Sequence, residues 1–146
     1  MLTPNDFASG YTAIPNIKAN DVAARVQAFI DFFTWECFTE FFGVEISERI
    51  AALETKDKEA VLTEAEKMLK YYVFSKWLQG NKFLTENGTV VINSVVGSNV
   101  YDTTRVAEVY NRSVELSKAF EAYLVNRSDF SDAKCKAKRL LPFFNY

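Results

Sequence analysis

The stretch KFLTENGTVVINSVVGSNVY, residues Lys82–Tyr101, interrupts a chain whose other segments have the apolar periodicity of amphipathic helices. At its centre, Asn87-Gly88 is a pair that tolerates the two positive φ angles of a type I′ turn. Threonine, aromatic and branched apolar residues flank the pair over Phe83–Thr85 and Thr89–Ile92, as in the strands of a hairpin. The predicted fold class is therefore mainly α: a helical bundle with a β-hairpin inserted at about residues 82–101. Because a two-stranded hairpin is marginal alone in water, this one must lie on the bundle or pair with a neighbouring chain.

The helices of the bundle are predicted from apolar periodicity and from residues that start or stop helices. Gly43 and Gly80 are candidate stops, and Thr63 with Glu66 has the spacing of a capping box, although helicity could start earlier, near Asp57. The pattern predicts helices over about residues 20–42, 44–53, 63–80 and 102–126. The first has an apolar face wide enough for burial on two sides, which fits either a central helix or an outer helix packed on another subunit.

Length and composition indicate one globular domain. The chain has 146 residues, of which 49% are hydrophobic and 15% aromatic. This aromatic share serves either an unusually aromatic core or an interface. We divide the chain into an extended N-terminal arm (residues 1–19), a helical domain with the hairpin insert (20–127), and a basic segment with an aromatic C-terminal tail (128–146).

The two ends of the chain are predicted to be extended. Pro4 and Pro15 disfavour helix in the residue before each, and the apolar residues of the N-terminal arm must be covered by the chain's own helices or by an adjacent subunit. Near the other end, a turn or short helix from about residue 128 would carry Lys134, Lys136, Lys138 and Arg139. The aromatic tail, Leu140–Tyr146, cannot continue as helix past Pro142, and it either docks in a groove of a partner or folds back onto its own body.

The sequence offers little for catalysis. It contains no histidine, which removes the commonest general base near neutral pH and the commonest metal ligand. It also lacks the phosphate-loop, dinucleotide-binding, nucleophile-elbow and paired-cysteine motifs. Neighbouring acidic residues, such as Glu45 and Glu48, are typical of solvated helix faces. We therefore predict a protein that is not an enzyme and holds no cofactor or metal, because an active site would need a polar pocket that the spacing does not reveal.

Net charge and hydropathy limit the partners and the cellular location that we expect for the protein. A net charge of -2 disfavours retention on DNA, because phosphate neutralisation requires a basic surface. The sequence has no apolar run of membrane-spanning length and does not start like a signal peptide, so we predict a soluble protein made inside the cell, without membrane contact. Cys37 and Cys135, the two cysteines, are predicted to be free thiols.

Three segments together resemble a known family. Tyr71–Leu78 (YYVFSKWL), Thr85–Val91 (TENGTVV) and Tyr110-Asn111-Arg112 follow one another as helix, hairpin and helix. Over roughly residues 60–125 the chain is similar to head-to-tail connector, or ring, proteins from the necks of tailed phages that infect Bacteroidetes, including crAss-like phages.

This resemblance implies a mostly helical structural protein whose copies, commonly twelve, form a ring beneath the portal vertex, around the channel through which DNA leaves. It implies a location in the virion, in the neck at the head-tail junction, after synthesis in the bacterial host cytoplasm. The implied partners are further copies of the chain, the portal protein and other neck or tail proteins. DNA would pass through the channel without specific binding.

A connector of this kind would act through its arm, its hairpin and its tail. The predicted protein-interaction residues are Phe7 and Tyr11 in the arm, Phe83, Asn87, Gly88, Val90 and Ile92 in the hairpin, and Leu140, Leu141, Phe143, Phe144 and Tyr146 in the tail. The alternative function is a small helical adaptor or inhibitor of phage or bacterial origin, which would bind a soluble partner through its aromatic surface.

Overall fold

The computed structural model describes residues 1–83 and 98–140, with side-chain positions for residues 1–79 and 104–140. Within these ranges the chain is mainly helical, which confirms the predicted class, and it contains no β-strand. The α-helices are α1 (Asn20–Phe42), α2 (Val44–Ala51), α3 (Thr55–Glu64), α4 (Glu66–Phe83) and α5 (Ser98–Asn126). Short 3-10 helices, Pro4–Phe7 and Ser128–Phe130, precede and follow them.

Aromatic side chains of α1, α4 and α5 form the centre of the core. The buried ring of Phe41 on α1 lies nearly perpendicular to Tyr72 of α4 and to Tyr110 of α5, with ring centroids 5.4 Å and 6.0 Å apart. Phe38 of α1 stacks on Phe120 of α5 at 5.7 Å. Burial of each such side chain stabilises the fold by roughly 1.5–3 kcal/mol. Much of the aromatic content therefore serves the core, in which α4 packs against both α1 and α5.

The helix ends next to the predicted hairpin differ from the prediction. Helix α4 continues through Gly80 to Phe83, and α5 starts at Ser98, so both ends of the predicted insert are helical. A single glycine costs a helix only about 1 kcal/mol relative to alanine, and serine or asparagine can begin a helix as readily as a loop. The strand predicted at Phe83 is therefore wrong, and Ser98 and Asn99, which fall within the predicted insert, are helical. The centre of the insert, residues 84–97, lies outside the described residues, and the hairpin stays a prediction.

Residues 55–83 form two helices where one was predicted. Helix α3 already begins at Thr55, because the buried Val61 and Leu62 give it an apolar face of its own. It ends at Glu64, and α4 starts at Glu66. Thr63 and Glu66 therefore belong to two different helices, and the capping box predicted from their spacing is wrong.

The first 19 residues fold onto the helical body instead of extending from it. Pro4 opens the 3-10 helix, which Asp6 stabilises by accepting the backbone N–H of Thr3 at 2.7 Å. Phe7 is fully buried and stacks on Phe74 of α4 with ring centroids 6.4 Å apart. Gly10 has a φ of +86°, which lets the chain turn back toward the body. The prediction of an extended arm is wrong here, and the chain's own helices cover its apolar residues.

Of the two structures predicted before the basic residues, a turn or a short helix that carries them, the structure shows the turn. After the 3-10 helix Ser128–Phe130, residues 133–140 have no helical or strand assignment. We call Ala133–Leu140 the C-terminal segment. Its lysines are therefore arranged on an irregular stretch of backbone and not on a helix.

Candidate interaction surface

The C-terminal segment lies along α5 and is held there by side chains. The backbone N–H of Cys135 donates to Glu121 at 2.5 Å, and the guanidinium of Arg139 donates to Glu115 at 3.0 Å. The segment thus passes α5 residues of decreasing number and runs antiparallel to that helix. A backbone hydrogen bond from Lys136 N to the carbonyl of Phe41, 2.6 Å long, also fixes it to the end of α1.

Asn111 fixes the far end of this segment. Its side-chain Oδ1 accepts the Leu140 N–H at 2.6 Å, and its Nδ2 donates to the Leu140 carbonyl at 2.9 Å. One buried amide therefore satisfies both polar backbone groups of one residue, as a neighbouring strand would. Leu140 consequently occupies a defined position on the surface of α5.

The side chains of the segment alternate between the body and solvent. Ala133 is buried and Cys135 and Ala137 are half-buried, which places alternate residues against the helices. The residues between them, Lys134, Lys136 and Lys138, are exposed. This period of two is that of extended backbone, and it arranges the lysines in one row.

Two arginine–aspartate contacts hold the turn that begins the segment. Arg49 of α2 pairs with Asp132 at 2.9 Å, and Arg127 pairs with Asp129 at 3.0 Å. Hydrogen bonds from these guanidinium groups lower the pKa of each aspartate below its usual value. A lowered pKa favours folding at neutral pH, and this contribution is lost as the pH falls through the folded-state pKa. Because the pairs are solvent-exposed, their effect on stability is small.

Replacing Asn111 by alanine is expected to free the end of the C-terminal segment. The substitution leaves the N–H and C=O of Leu140 without their partner, at a cost of about 1–3 kcal/mol. Amide hydrogen exchange should show faster exchange of Leu140, while buried amides of α1 remain protected. Glu115→Ala is the matched control, because it removes only exposed ion pairs, those with Arg139 and Arg112. Unchanged protection of Leu140 in Asn111→Ala would contradict this account.

A second feature lies further along α5, where the N-terminal segment meets it. A cavity of about 350 Å³ is lined by Gly10, Tyr11, Thr104, Arg105 and Glu108, and we call it the Tyr11 pocket. The Tyr11 hydroxyl donates to Glu108 at 3.3 Å, and Arg105 donates to the Tyr11 carbonyl at 3.1 Å. The Tyr11 side chain nevertheless remains 51% exposed. The pocket thus presents one tyrosine together with one cation and one anion.

Arg105 lies between two aromatic rings in this pocket. Its guanidinium carbon is 5.6 Å from the ring centroid of Tyr11 and 5.4 Å from that of Phe74, within the range of cation–π contacts. Its Nε is buried and has no hydrogen-bond partner among the described residues. Buried donors are nearly always paired, so an acceptor outside the described residues is expected here. Burial, followed by the charge of Glu108, raises the pKa of Tyr11, which therefore stays a neutral phenol at physiological pH.

The structure brings together only part of the predicted interaction set. Phe7 is a core residue and is out of reach of a partner. Tyr11 is exposed, and Leu140 is half-buried. Their α5 contacts, Glu108 and Asn111, are three residues apart and share a helix face. Phe83 is the last residue of α4, and its side chain is not described. The other predicted residues lie outside the described ranges: Asn87, Gly88, Val90, Ile92, Leu141, Phe143, Phe144 and Tyr146.

Sequence reasoning missed the polar contact that connects α1 to α4 and α5. The carboxylate of Glu40 accepts hydrogen bonds from the Tyr72 hydroxyl, at 2.8 Å, and from the Tyr110 hydroxyl. Burial, followed by these hydrogen bonds, raises the pKa of both tyrosines, so both remain protonated donors. These residues are 32 and 70 positions from Glu40, and no local motif connects them. Their arrangement joins the three helices.

The described residues give no support for a metal centre or a membrane span. Within them, histidine, cysteine and acidic side chains do not cluster in a group that could hold a metal ion. Nor does any helix in the described part of the chain combine the length and hydropathy needed to cross a bilayer. Both cysteines are free thiols, as predicted, and burial raises the pKa of Cys37 well above its usual value.

Comparisons with known proteins add no relative: no family model, curated protein or solved structure matches this chain.

Proposed function

We propose that the chain is a structural subunit of a phage head-to-tail connector, located in the virion neck, with no catalytic role. The observation that carries the proposal is the C-terminal segment, which lies outside the helical bundle and is fixed at Leu140 by Asn111. The aromatic tail would therefore start from a defined position, as a device for docking onto the portal or a neighbouring ring requires. The resemblance to neck proteins of Bacteroidetes phages supports the same role.

A ring needs two different contact surfaces on each subunit, because heterologous contacts repeat head to tail. The tail and the adjacent lysine row are one candidate. The second candidate is the outer face of α1, where Phe32 is 60% exposed and lies edge-on to Phe33 at 4.9 Å. Phe29 extends this aromatic surface, with its ring 5.4 Å from that of Phe33. An exposed aromatic surface of this kind is typical of interfaces.

The proposal retains the hairpin in a narrower form. Because α4 and α5 extend into the predicted insert, the hairpin would be confined to residues 84–97, centred on Asn87-Gly88. It would be a further contact between neighbouring subunits.

Native mass spectrometry of the purified chain over a range of concentrations is the first test. We expect a discrete species near twelve subunits. Phe32→Ser should raise the concentration needed for assembly at least about tenfold, which corresponds to about 1.4 kcal/mol of lost contact energy per interface. Val125→Ser is the matched control, since Val125 is an exposed apolar residue on another helix, α5. Circular dichroism should show both variants folded.

A monomer or dimer at all concentrations, alone and with a portal protein added, would contradict the connector. That result would favour the alternative, an adaptor or inhibitor that uses the same aromatic face of α1 for a soluble partner. The exposure of Phe32 is the observation that favours this second candidate. The two functions therefore differ in the expected assembly state and share a contact surface.

A further inference from the structure

We propose that the Tyr11 pocket is the binding site for the chain's own aromatic tail beyond Leu140. This inference goes beyond the connector role, because it concerns the subunit before it meets any partner. It rests on the direction of the C-terminal segment, on the reach of the residues after Leu140 and on the chemistry of the pocket.

The direction of the segment leads toward the pocket. Successive contacts on α5 are Glu121, Glu115 and Asn111, so each further residue advances toward the start of that helix. Glu108 and Thr104 are three and seven residues before Asn111 and lie on the same helix face. Both line the Tyr11 pocket. A chain that continues in the same direction along this face therefore arrives there.

The reach of the tail also fits. A helix rises about 1.5 Å per residue, so Glu108 lies about 4.5 Å and Thr104 about 10.5 Å beyond Asn111 along the axis. Extended chain covers about 3.3 Å per residue, so three residues after Leu140 span roughly 10 Å. Pro142 excludes helix at this point and disfavours it for Leu141. Phe143 and Phe144 are then the residues that can reach the pocket.

The pocket suits a neutral, aromatic peptide better than a charged one. Glu108 disfavours an anionic ligand and Arg105 disfavours a cationic one, whereas the sequence after Arg139, LLPFFNY, has no charged side chain. A backbone carbonyl of the tail would supply the acceptor that Arg105 Nε lacks among the described residues. An aromatic ring would pack on the exposed Tyr11, whose centroid is 6.5 Å from that of Tyr71. The cavity of about 350 Å³ also lies within the usual size range of ligand pockets.

Competition by a peptide tests the proposal on the full-length chain. The probe is a fluorescein-labelled peptide LLPFFNY, and its anisotropy is titrated with the wild type and with Phe143→Ser/Phe144→Ser. We expect the peptide to bind the double variant at least tenfold more tightly, because in the wild type the tail already occupies the pocket. Adding Arg105→Lys to the double variant should weaken binding about tenfold. Arg25→Lys is the matched control, since Arg25 lies over the Trp77 ring away from the pocket.

Four results would overturn the proposal. Equal binding to the wild type and the double variant would show that the tail does not occupy the pocket. If circular dichroism shows that the double variant is folded but the peptide does not bind it, the pocket is not a tail site. The same conclusion follows if Arg105→Lys leaves peptide binding to the double variant unchanged. A wild type that sedimentation shows to be dimeric at the titration concentration would indicate the tail of a second copy. When they are made below the concentration at which native mass spectrometry detects assembly, these titrations succeed or fail independently of ring formation.

Discussion

Replacing Phe7 by alanine is expected to lower the free energy of unfolding by about 3–5 kcal/mol, the usual cost of truncating a buried phenylalanine. The Phe7 side chain is fully buried and stacks on Phe74, which is itself 1% exposed. The substitution would leave a cavity between the N-terminal segment and α4. Chemical denaturation monitored by circular dichroism measures the change.

Tyr11→Ala is the control for this experiment, because Tyr11 belongs to the same segment and is 51% exposed. It should cost clearly less than Phe7→Ala, since surface substitutions usually change stability by about 0.5 kcal/mol and only one exposed hydrogen bond and ring contacts are lost. Equal, small effects at both positions would contradict the account of residues 1–19 as part of the core. They would restore the earlier expectation of an arm that is separate from the body.

Replacing Glu40 by alanine is expected to destabilise the chain by about 2–4 kcal/mol. The carboxylate accepts hydrogen bonds from two tyrosine side chains, and each buried hydroxyl left without a partner costs about 1–3 kcal/mol. Tyr72 and Tyr110 are 1% and 7% exposed, whereas the Glu40 side chain that they contact is exposed, so the expected loss is smaller than that of two fully buried hydroxyls. Glu36→Ala, which removes an exposed carboxylate one turn earlier on α1, should change stability by less than about 0.5 kcal/mol.

The contact of Glu40 with the two tyrosines can also be tested by a second pair of substitutions that should restore part of the lost stability. In the Glu40→Ala background, Tyr72→Phe with Tyr110→Phe removes both unpaired hydroxyls and should recover part of the loss. Removing both partners of a buried hydrogen bond costs much less than removing one. Urea unfolding of the four combinations gives the coupling energy. Additive effects, with no recovery, would show that Glu40 does not hold the two tyrosines.

The proposed tail site has a consequence for assembly. The residues after Leu140 are apolar and aromatic, and exposed residues of this type promote nonspecific association. A tail bound on its own α5 would be protected in the free subunit and released when a portal or neighbouring ring offers a better site. The fixed position of Leu140 then serves both states, because it sets the starting point of the tail in each.

The sequence by itself determined the helical class, the position of α1 and the free state of both cysteines. These features depend on local patterns: apolar residues repeated every three or four positions and glycine after the last turn of α1. The same local reasoning failed at Gly80, through which α4 continues, and at Thr63 with Glu66, where the buried Val61 and Leu62 give α3 an apolar face of its own. Local signals for helix ends are each of the order of 1 kcal/mol, and burial of an apolar face outweighs them.

Only the tertiary structure decided which residues form the candidate site. Tyr11 meets Arg105 and Glu108 across more than 90 positions of sequence, and Leu140 meets Asn111 across 29. Nothing in the spacing of these residues predicts such contacts, because they depend on how whole helices pack. The N-terminal residues are folded for the same reason: the prolines favour extended backbone locally, whereas burial of Phe7 against α4 stabilises a compact turn.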